Sequence, residues 1–287
     1  MNNKNFAVFI LTYGRPDNVI TVDTLKKSGY TGDIYIVCST DDESLPEYKK
    51  NYKNVISFNK EDYEGKFDIG DNFNDKRVVV YARNAVFDIA KKVGIAYFLV
   101  LDDDYVKFDY RINGKGEYPE NHWVIKGAQL DKIFDIYLKY FKSIDAKTIC
   151  FSQGGDFIGG AQGSFADLKL RRKAMNCFFC STERPFNFVG RINEDATTYT
   201  IYGSRGDIFL TTPVVSVTQL QTQSNKGGLT EFYLDGGTYV KSFYTLMFHP
   251  SSVSIRLMGT ANKRLHHSIK WDNTVPQILD EDVKKTA

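Results

Sequence analysis

The chain has 287 residues, of which 42% are hydrophobic and 25% are charged, and its 37 Lys and Arg nearly balance its 35 Asp and Glu. This composition is typical of an ordered globular protein, whereas a formal charge of +2 identifies no partner. No apolar run approaches the roughly 18 residues of a membrane span, and four cysteines are too few for a disulfide framework. We therefore expect a cytoplasmic protein without a membrane partner.

The N-terminal part of the chain alternates short apolar runs with segments of helical length. Apolar runs over Phe6–Leu11, Ile34–Cys38 and Val55–Phe58 predict buried strands, and a helix from about Asp17 to Lys27 separates the first two. The acidic, aperiodic segment Asn59–Lys76 predicts a mobile loop. This alternation of strand and helix predicts a parallel sheet.

The most distinctive segment combines a helix, a strand and three aspartates. Apolar residues at helical spacing predict a helix over Val78–Val93, which Gly94 ends, and Ile95–Leu101 is the most hydrophobic predicted strand. The acidic triplet, Asp102–Asp104, follows that strand directly. Because open α/β sheets bind ligands outside the carboxyl ends of their strands, we expect the acidic triplet to lie at a ligand site.

Strands and helices continue beyond the acidic triplet, after a predicted hairpin turn at 112–114. The predicted elements are a helix over Gly127–Ser143, strands over Thr148–Ser152, Met175–Cys180 and Asn187–Ile192, a helix from Asn193 to about Tyr202, strand residues at Phe209 and Val214–Val217, and a helix over Gly236–Phe248. The apolar side of the last helix is predicted to consist of Tyr239, Val240, Phe243, Tyr244 and Met247. The glycine-rich segment 154–163 predicts a flexible loop near a ligand, and the tail from Gly259 is expected to wrap the surface.

Three consecutive carboxylates at the end of a buried strand repel one another unless positive charge compensates them. Asp102 and Asp104 project to the same side if strand geometry persists, and hard oxygen ligands suit Mg²⁺ or Mn²⁺. The acidic triplet therefore predicts a divalent-cation site. The alternative is a solvated acidic turn after a core strand.

Two neighbouring segments offer groups that bind phosphate or a nucleotide. Arg83, on the helix before the acidic triplet, can meet phosphate oxygens or hold a carboxylate. Thr12, Tyr13 and Arg15 end the first strand at the same edge of the sheet and offer a hydroxyl, an aromatic face and a guanidinium. The alternatives are an exposed helical arginine and an ordinary strand-to-helix turn.

Later in the chain, one carboxylate and two histidines are further candidates. Asp195, at a predicted helix start beside a glycine-rich loop, is a candidate to accept a proton from a hydroxyl, although such a residue can also be a helix cap. His266 and His267, in a basic tail, can close over a diphosphate or complete a metal shell; the alternative is a pair of surface histidines. Lys263-Arg264, and Lys169 with Arg171–Lys173, can form a stripe facing phosphates, or can be solvated faces.

Four motifs together resemble a known family. They are LTYGRP at 11–16, YARNAVFDIAKKVGIAYFLVLDDDY at 81–105, GRINEDATTY at 190–199 and RLHHSIKWDNTVPQIL at 264–279. They resemble GT-A glycosyltransferases and, more narrowly, the phage DNA glycosyltransferases associated with TET/JBP oxygenases, which are relatives of the base J glucosyltransferase. The resemblance covers about Phe6 to Leu279.

The resemblance implies an α/β, Rossmann-like GT-A fold with a mixed, mainly parallel central sheet flanked by helices. We expect a single domain over 1–287, with a nucleotide-sugar-binding half at about 1–105, an acceptor half at about 106–258 and a C-terminal wrapping tail at 259–287. The implied reaction moves a sugar from a nucleotide sugar, UDP-glucose being the expected donor, to the hydroxyl of a hydroxymethylated pyrimidine in DNA. A phage-encoded chain would act in the cytoplasm of its host.

The roles of the candidate residues follow from the same resemblance. Asp102, Asp104 and His267 are the expected ligands of a Mn²⁺ or Mg²⁺ ion, and Asp195 is the expected catalytic base. The nucleotide sugar is expected to contact Thr12, Tyr13, Arg15, Arg83, Asp102, Asp103, His266 and His267. Contact with DNA is expected from basic and aromatic residues between Lys169 and Phe188, including Arg171, Arg172, Phe178, Phe179 and Arg184.

Other functions are compatible with these motifs. A glycosyltransferase that acts on a polysaccharide, lipid or protein shares every donor-side residue and differs only in its acceptor surface. A nucleotidyltransferase that forms nucleotide sugars shares the parallel sheet, but Thr12–Pro16 is too short for its glycine-rich loop. A nucleic-acid-binding module without activity is disfavoured because Asp102, Asp104 and Asp195 are all present.

Overall fold

A computed structural model describes residues 5–113, 115, 117, 122–157, 172–220, 240–258, 263–274 and 281. The expectations for Arg171, Tyr239, Gly259 and the predicted loop beyond residue 157 lie outside these ranges. Within them, no helix is both long enough and apolar enough to cross a membrane.

A parallel half-sheet forms the N-terminal part of the fold. Its strands are β1 (Phe6–Leu11), β2 (Asp33–Ser39), β3 (Val55–Phe58) and β4 (Tyr97–Asp102). The connecting helices are α1 (Ile20–Lys27), α2 (Leu45–Asn51) and α3 (Val80–Lys92), with a 3₁₀ turn over Lys60–Tyr63. As predicted, Gly94 follows α3 with a φ of +72°, a left-handed conformation that suits glycine.

A mixed half-sheet and a separate hairpin form the rest of the described chain. The strands are β5 (Tyr105–Tyr110), β6 (Trp123–Val124), β7 (Thr148–Gln153), β8 (Phe178–Ser181), β9 (Phe209–Gln219), β10 (Val253–Met258) and β11 (Arg264–Ile269). The helices are α4 (Gln129–Lys142), α5 (Glu194–Ser204), α6 (Val240–Phe248) and α7 (Trp271–Thr274), and Gly154–Phe157 is a 3₁₀ turn.

The order of the large sheet is β3-β2-β1-β4-β8-β7-β9-β5-β6. Among its described strands, β5 and β8 alone run against the others, which confirms the mixed, mainly parallel sheet. The antiparallel excursion predicted after the acidic triplet is the pairing of β5 with β6.

Aromatic side chains cover both faces of the large sheet. On one face, Phe98 of β4 packs edge-on against Phe87 of α3, with ring centroids 5.3 Å apart. On the other face, Phe179 of β8 packs against Phe134 of α4 at 5.8 Å. The helices therefore flank the sheet on both sides, and the rigid strand ends can hold a site.

Several element boundaries differ from the sequence predictions. Helix α1 begins at Ile20 instead of Asp17, because a turn closed by Asn18 N donating to Arg15 O comes first. Strand β8 begins at Phe178 instead of Met175, because Asn176 has a left-handed φ of 59°. The strand predicted over Asn187–Ile192 is wrong: that segment is irregular.

Polar contacts also correct the predictions for the loop over Asn59–Lys76 and for the apolar side of α6. The loop predicted as mobile is fixed, since Gly190 N and Arg191 N each donate 2.8 Å hydrogen bonds to carbonyls of residues 68 and 69. In α6, Tyr244 is buried and Val240 packs against the core as predicted, but Phe243 and Met247 are exposed and the buried side also holds Ser242 and Thr245. The buried side of α6 faces α5, where hydroxyl groups pair with one another.

Candidate active site

Five strand ends meet at the edge of the sheet that holds the acidic triplet. The carboxyl ends of β4, β7 and β9 contribute Asp102, Gln153 and Gln219, and the amino ends of β5 and β8 lie beside them. Ligand sites of α/β sheets form at such edges. The topology thus brings together polar residues that are far apart in sequence. Asp102 and Gln219, for example, are 117 positions apart.

Asp103 is the fully paired member of the acidic triplet. Its carboxylate accepts hydrogen bonds from Thr12 Oγ1 at 2.6 Å and from Arg15 Nη1 at 2.7 Å. Tyr48 of α2 completes the group, because its hydroxyl lies 2.9 Å from Thr12 Oγ1 and accepts from Arg15 N at 2.7 Å. Asp103 therefore braces the end of β1 against the end of β4, and we assign it a structural role.

Asp102 and Asp104 share a weaker partner. Gln219 Nε2 donates to Asp102 Oδ2 at 3.4 Å and to Asp104 Oδ1 at 3.3 Å, so one amide lies between the two carboxylates. Asn176 Nδ2 orients that amide by donating to Gln219 Oε1 at 3.0 Å. Burial raises the pKa of Asp102 to about 6 even though Arg83 lies beside it, and burial together with Asp103 raises the pKa of Asp104.

Thr21 holds the backbone of the acidic triplet in place. From the first turn of α1, its hydroxyl donates to Asp102 O at 2.7 Å and accepts from Tyr105 N at 2.9 Å, and its N–H donates to Asp103 O at 3.1 Å. One fully buried threonine thus satisfies three backbone groups of a tight turn. The carboxylates are therefore fixed at their backbones.

Arg83 of α3 joins the acidic triplet to the start of α5. Its Nε donates to Glu194 at 2.6 Å and its Nη2 to Asp102 Oδ1 at 3.1 Å. Its Cζ lies 5.0 Å and 5.8 Å from the ring centroids of Phe178 and Phe188. Arg83 is buried, and among the described residues its Nη1 has no hydrogen-bond partner. It holds carboxylates, as one of the two sequence interpretations predicted.

Asp195 lies beside Glu194 in the first turn of α5 and is also buried. Its carboxylate accepts a hydrogen bond from Ala196 N at 2.6 Å. Burial, reinforced by the charges of Glu194 and Asp102 and opposed by Arg83, raises the pKa of Asp195 to about 7. A carboxyl group with that pKa can take up a proton near neutral pH, as a general base must.

Asn193 connects α5 to the β10–β11 hairpin. With a left-handed φ of 57°, it donates from Nδ2 to Thr245 Oγ1 at 2.5 Å and lies 3.3 Å from His267 Nδ1. Burial lowers the pKa of His267 to about 4, so its imidazole is neutral at pH 7. With Nδ1 accepting from Asn193, Nε2 carries the proton and can donate to an oxygen.

His266 lies beside His267 but has a different hydrogen-bond partner. The two ring centroids are 4.4 Å apart, and the Nδ1 of His266 lies 2.7 Å from the backbone oxygen of His267. The contact with Asn193, at the start of α5, is made by His267.

Tyr13 ends β1 with a half-buried ring. Lys60 Nζ lies 4.6 Å from the ring centroid and 3.0 Å from Asp41 Oδ2. Gly14 N donates to Asp42 Oδ2 at 2.8 Å, which ties the β1 turn to the turn after β2. The contact of Tyr13 with a nucleotide stays a prediction.

A family model described as TET-Associated Glycosyltransferase matches residues 6–228 of the chain. The chain belongs to this family. No curated protein matches it in sequence. The family assignment agrees with the resemblance of the LTYGRP, DDDY and NEDATTY motifs.

Three solved structures are similar at low identity. S. aureus TarS 1–349 in complex with UDP-GlcNAc is 11% identical over 84% of this chain and 66% of that chain, with a TM-score of 0.41. S. aureus TarS is 11% identical over 84% and 40%, with a TM-score of 0.39, and an active-site mutant of LgtC is 11% identical over 48% and 64%, with a TM-score of 0.25. The chain spans less than two thirds of the length of each.

The oxygen ligands that this chain offers suit a cation whose remaining coordination positions are filled by phosphate oxygens of the substrate. Among the residues that the structure describes, no three His, Cys, Asp or Glu side chains are grouped to hold a metal ion. Asp102 and Asp104 nevertheless offer hard oxygens, and the Gln219 amide places partial positive charge between them. Mg²⁺ is often held by one or two carboxylates plus phosphate oxygens, which this arrangement fits.

The DNA contact predicted between Lys169 and Phe188 is wrong for its described aromatic residues. Phe178 and Phe179 are core residues of β8, since they lie in the middle of the sheet. Arg184 donates to the carbonyls of Ile144 and Phe141 at 2.6 Å and 3.1 Å, and so caps the end of α4. Arg172 donates to Asp207 O at 3.0 Å.

Sequence reasoning missed the polar partners of the acidic triplet. Gln219 and Thr21 touch it, and Asn176 holds Gln219, but the three residues lie on distant segments and no motif distinguishes them. Glu194 was inside the recognised NED motif, but its pairing with Arg83 depends on how α3 and α5 pack.

Proposed function

We propose that the chain is a cation-dependent glycosyltransferase that moves a sugar from a UDP-sugar to the hydroxyl of a hydroxymethylated pyrimidine in DNA. The observation that carries this proposal is an excess of buried negative charge at one sheet edge. Arg83 is the cation that touches Asp102 and Glu194, and Asp195 and Asp104 lie beside them. Such a site is completed by a ligand that brings positive charge.

On the donor side, Asp102 and Asp104 would hold Mn²⁺ or Mg²⁺ together with the diphosphate. The cation supplies charge that stabilises the departing nucleoside diphosphate. Asp103, with Thr12 and Arg15, keeps the strand end rigid below it, and Tyr13 offers its ring to the nucleotide. His267 Nε2 is the candidate donor of a hydrogen bond to a phosphate oxygen, while its role as a metal ligand remains a prediction.

On the acceptor side, Asp195 is the proposed base. Glu194 accepts a hydrogen bond from Arg83 at 2.6 Å, so the neighbouring carboxylate of Asp195 is the one left to take a proton. Asp195 would remove the proton from the acceptor hydroxyl as that oxygen attacks the sugar carbon and the carbon–phosphate oxygen bond breaks. The raised pKa of Asp195 keeps it basic enough for this step.

The choice of DNA as the acceptor is supported by the family and the sequence motifs, not by the geometry of the site. The family description associates its members with TET, and the sequence motifs resemble enzymes that glycosylate hydroxymethylated pyrimidines in DNA. A hydroxymethyl group on a pyrimidine is exposed in the major groove, or becomes accessible when the nucleotide is flipped out.

The test uses a panel of nucleotide sugars with Mn²⁺ and DNA that contains hydroxymethylcytosine or hydroxymethyluracil, followed by digestion to nucleosides and mass spectrometry. We expect a hexose on the modified nucleoside and none on unmodified DNA. Asp195→Asn should lose transfer, whereas the matched change Asp145→Asn, at an exposed carboxylate after α4, should not. Transfer to a glycan, lipid or protein with unaltered DNA would contradict the acceptor assignment.

A further inference from the structure

The β10–β11 hairpin presents an uncovered apolar pair next to the candidate active site. In its register, Val253 faces Ile269, Ile255 faces His267 and Leu257 faces Leu265, so these six residues share one face. The base of this face is covered, since Val253 is 4% exposed, but Leu257 is 60% and Leu265 38% exposed. Exposure thus increases along one face, from the base of the hairpin towards its tip.

This face begins at the site. His267 lies 3.3 Å from Asn193, the residue directly before Glu194 and Asp195. Leu257 and Leu265 are two residues farther along their strands, which corresponds to about 7 Å at the rise of a strand. The apolar pair therefore extends from the start of α5 over a distance comparable to one nucleotide.

The hairpin is also strongly basic. Residues 253–270 contain four Lys or Arg and no Asp or Glu, although the whole chain has nearly equal numbers of both signs. Lys263, two residues before Leu265, is exposed, and so is Arg256, which pairs with His266 on the opposite face of the hairpin. Their positive charge complements a polyanion, and the adjacent apolar pair complements the flat face of a base.

We infer that the β10–β11 hairpin binds the acceptor DNA strand, with Leu257 and Leu265 against a nucleobase, Lys263 against a neighbouring phosphate, and Arg256, from the opposite face, against a phosphate where the DNA passes the edge of β10. This inference rests on the proposed function, because it places the acceptor beside Asp195. It differs from the predicted contact at 169–188, whose described aromatic residues belong to the core. Lys263 belongs to one of the two basic clusters in the sequence.

The test compares two double variants with a matched control. Leu257→Ser with Leu265→Ser removes the apolar pair, and Arg256→Gln with Lys263→Gln removes two charges. The control is Ile136→Ser with Lys139→Gln, which changes exposed residues of α4 on the opposite side of the sheet. Binding of fluorescein-labelled DNA that contains hydroxymethylcytosine is followed by fluorescence anisotropy, and affinity for the UDP-sugar by calorimetry.

Both hairpin variants should weaken DNA binding by roughly tenfold or more while the affinity for the UDP-sugar and the melting temperature stay near those of the unaltered protein. The charge variant should also reduce the slope of log K against log salt by roughly 2. The control should bind DNA normally. Normal DNA binding by both hairpin variants would overturn the inference while leaving the proposed function intact.

Two further outcomes identify other partners. If the unaltered protein binds no DNA but transfers sugar elsewhere, both the acceptor assignment and this inference fail. Binding to vesicles of phosphatidylglycerol, lost in the same hairpin variants and without affinity for DNA, would overturn the inference in favour of a lipid surface.

Discussion

Arg83 and Arg191 are the two largest fully buried side chains, and they are compensated very differently. Arg191 binds both oxygens of Asp71 at 2.7 Å and donates to the backbone oxygens of Phe73 and Asp75. Arg83 has bonds to Glu194 and Asp102, while its Nη1 has no partner among the described residues. The fold thus compensates Arg191 with a carboxylate and two carbonyls, whereas Arg83 keeps one nitrogen without a hydrogen-bond partner among the described residues.

The carboxylates around the two arginines show the consequence. Burial alone would raise the pKa of Asp71, but hydrogen bonds from Arg191 and Tyr244 outweigh it and lower that pKa. Around Arg83, burial raises the pKa of Asp102 to about 6 and of Asp195 to about 7. In the proposed function, the buried charge that the fold does not compensate is where the ligand and the proton are handled.

The largest expected effect comes from removing one carboxylate charge at each arginine. Asp195→Asn should lower the rate of sugar transfer by about 10²- to 10⁴-fold, the usual contribution of a general base. Asp71→Asn should leave the rate of the folded protein nearly unchanged. Initial rates with saturating UDP-sugar measure both, and equal losses in the two variants would break the comparison.

The same pair of variants should change stability in opposite directions. The folded-state pKa of Asp195 is raised, so its contribution to stability is present at low pH and is lost as the pH rises through about 7. The pKa of Asp71 is lowered, so its contribution is present at neutral pH and is lost in acid. At pH 8, urea unfolding should show Asp195→Asn to be the more stable variant, by at most about 4 kcal/mol over the unaltered protein.

A second comparison removes the arginines. Arg83→Met and Arg191→Met should each lower the free energy of unfolding by about 3–5 kcal/mol at pH 8, because each leaves buried carboxylates uncompensated. At pH 5.5 the Arg83 variant should recover much of that loss, since Asp102 and Asp195 take up protons there. The Arg191 variant should not recover, because Asp71 needs stronger acid. Equal recovery of the two variants would contradict the interpretation.

The smallest effect separates two neighbours in the acidic triplet. Asp103→Asn should cost about 1–3 kcal/mol of stability, because it weakens the hydrogen bonds from Thr12 and Arg15. It should keep the rise in melting temperature that Mn²⁺ and UDP produce. Asp104→Asn should change stability less and lose that rise. Thermal melts with and without both ligands distinguish the two, and an unchanged ligand effect in Asp104→Asn would contradict the cation site.

The sequence supported the predictions that depend on local pattern. Strands β1 and β3 lie where their apolar runs predicted them, and α3 ends at the predicted Gly94, because buried strands and helix ends have short-range signals. Strand β10 was not predicted, and Phe243 and Met247 were wrongly assigned to the apolar side of α6, because both elements pack through contacts with distant residues.

By itself the sequence determined the alternating architecture, the family motifs and the candidate carboxylates at a strand end. Only the tertiary structure decided that Asp103 is braced by Thr12 and Arg15 while Asp102 and Asp104 share Gln219, and that His267 makes the contact with Asn193 at the start of α5. The physical reason is that charge compensation depends on side chains from distant parts of the chain, such as Asp102 and Gln219, which are 117 positions apart, and no local periodicity records such a pairing.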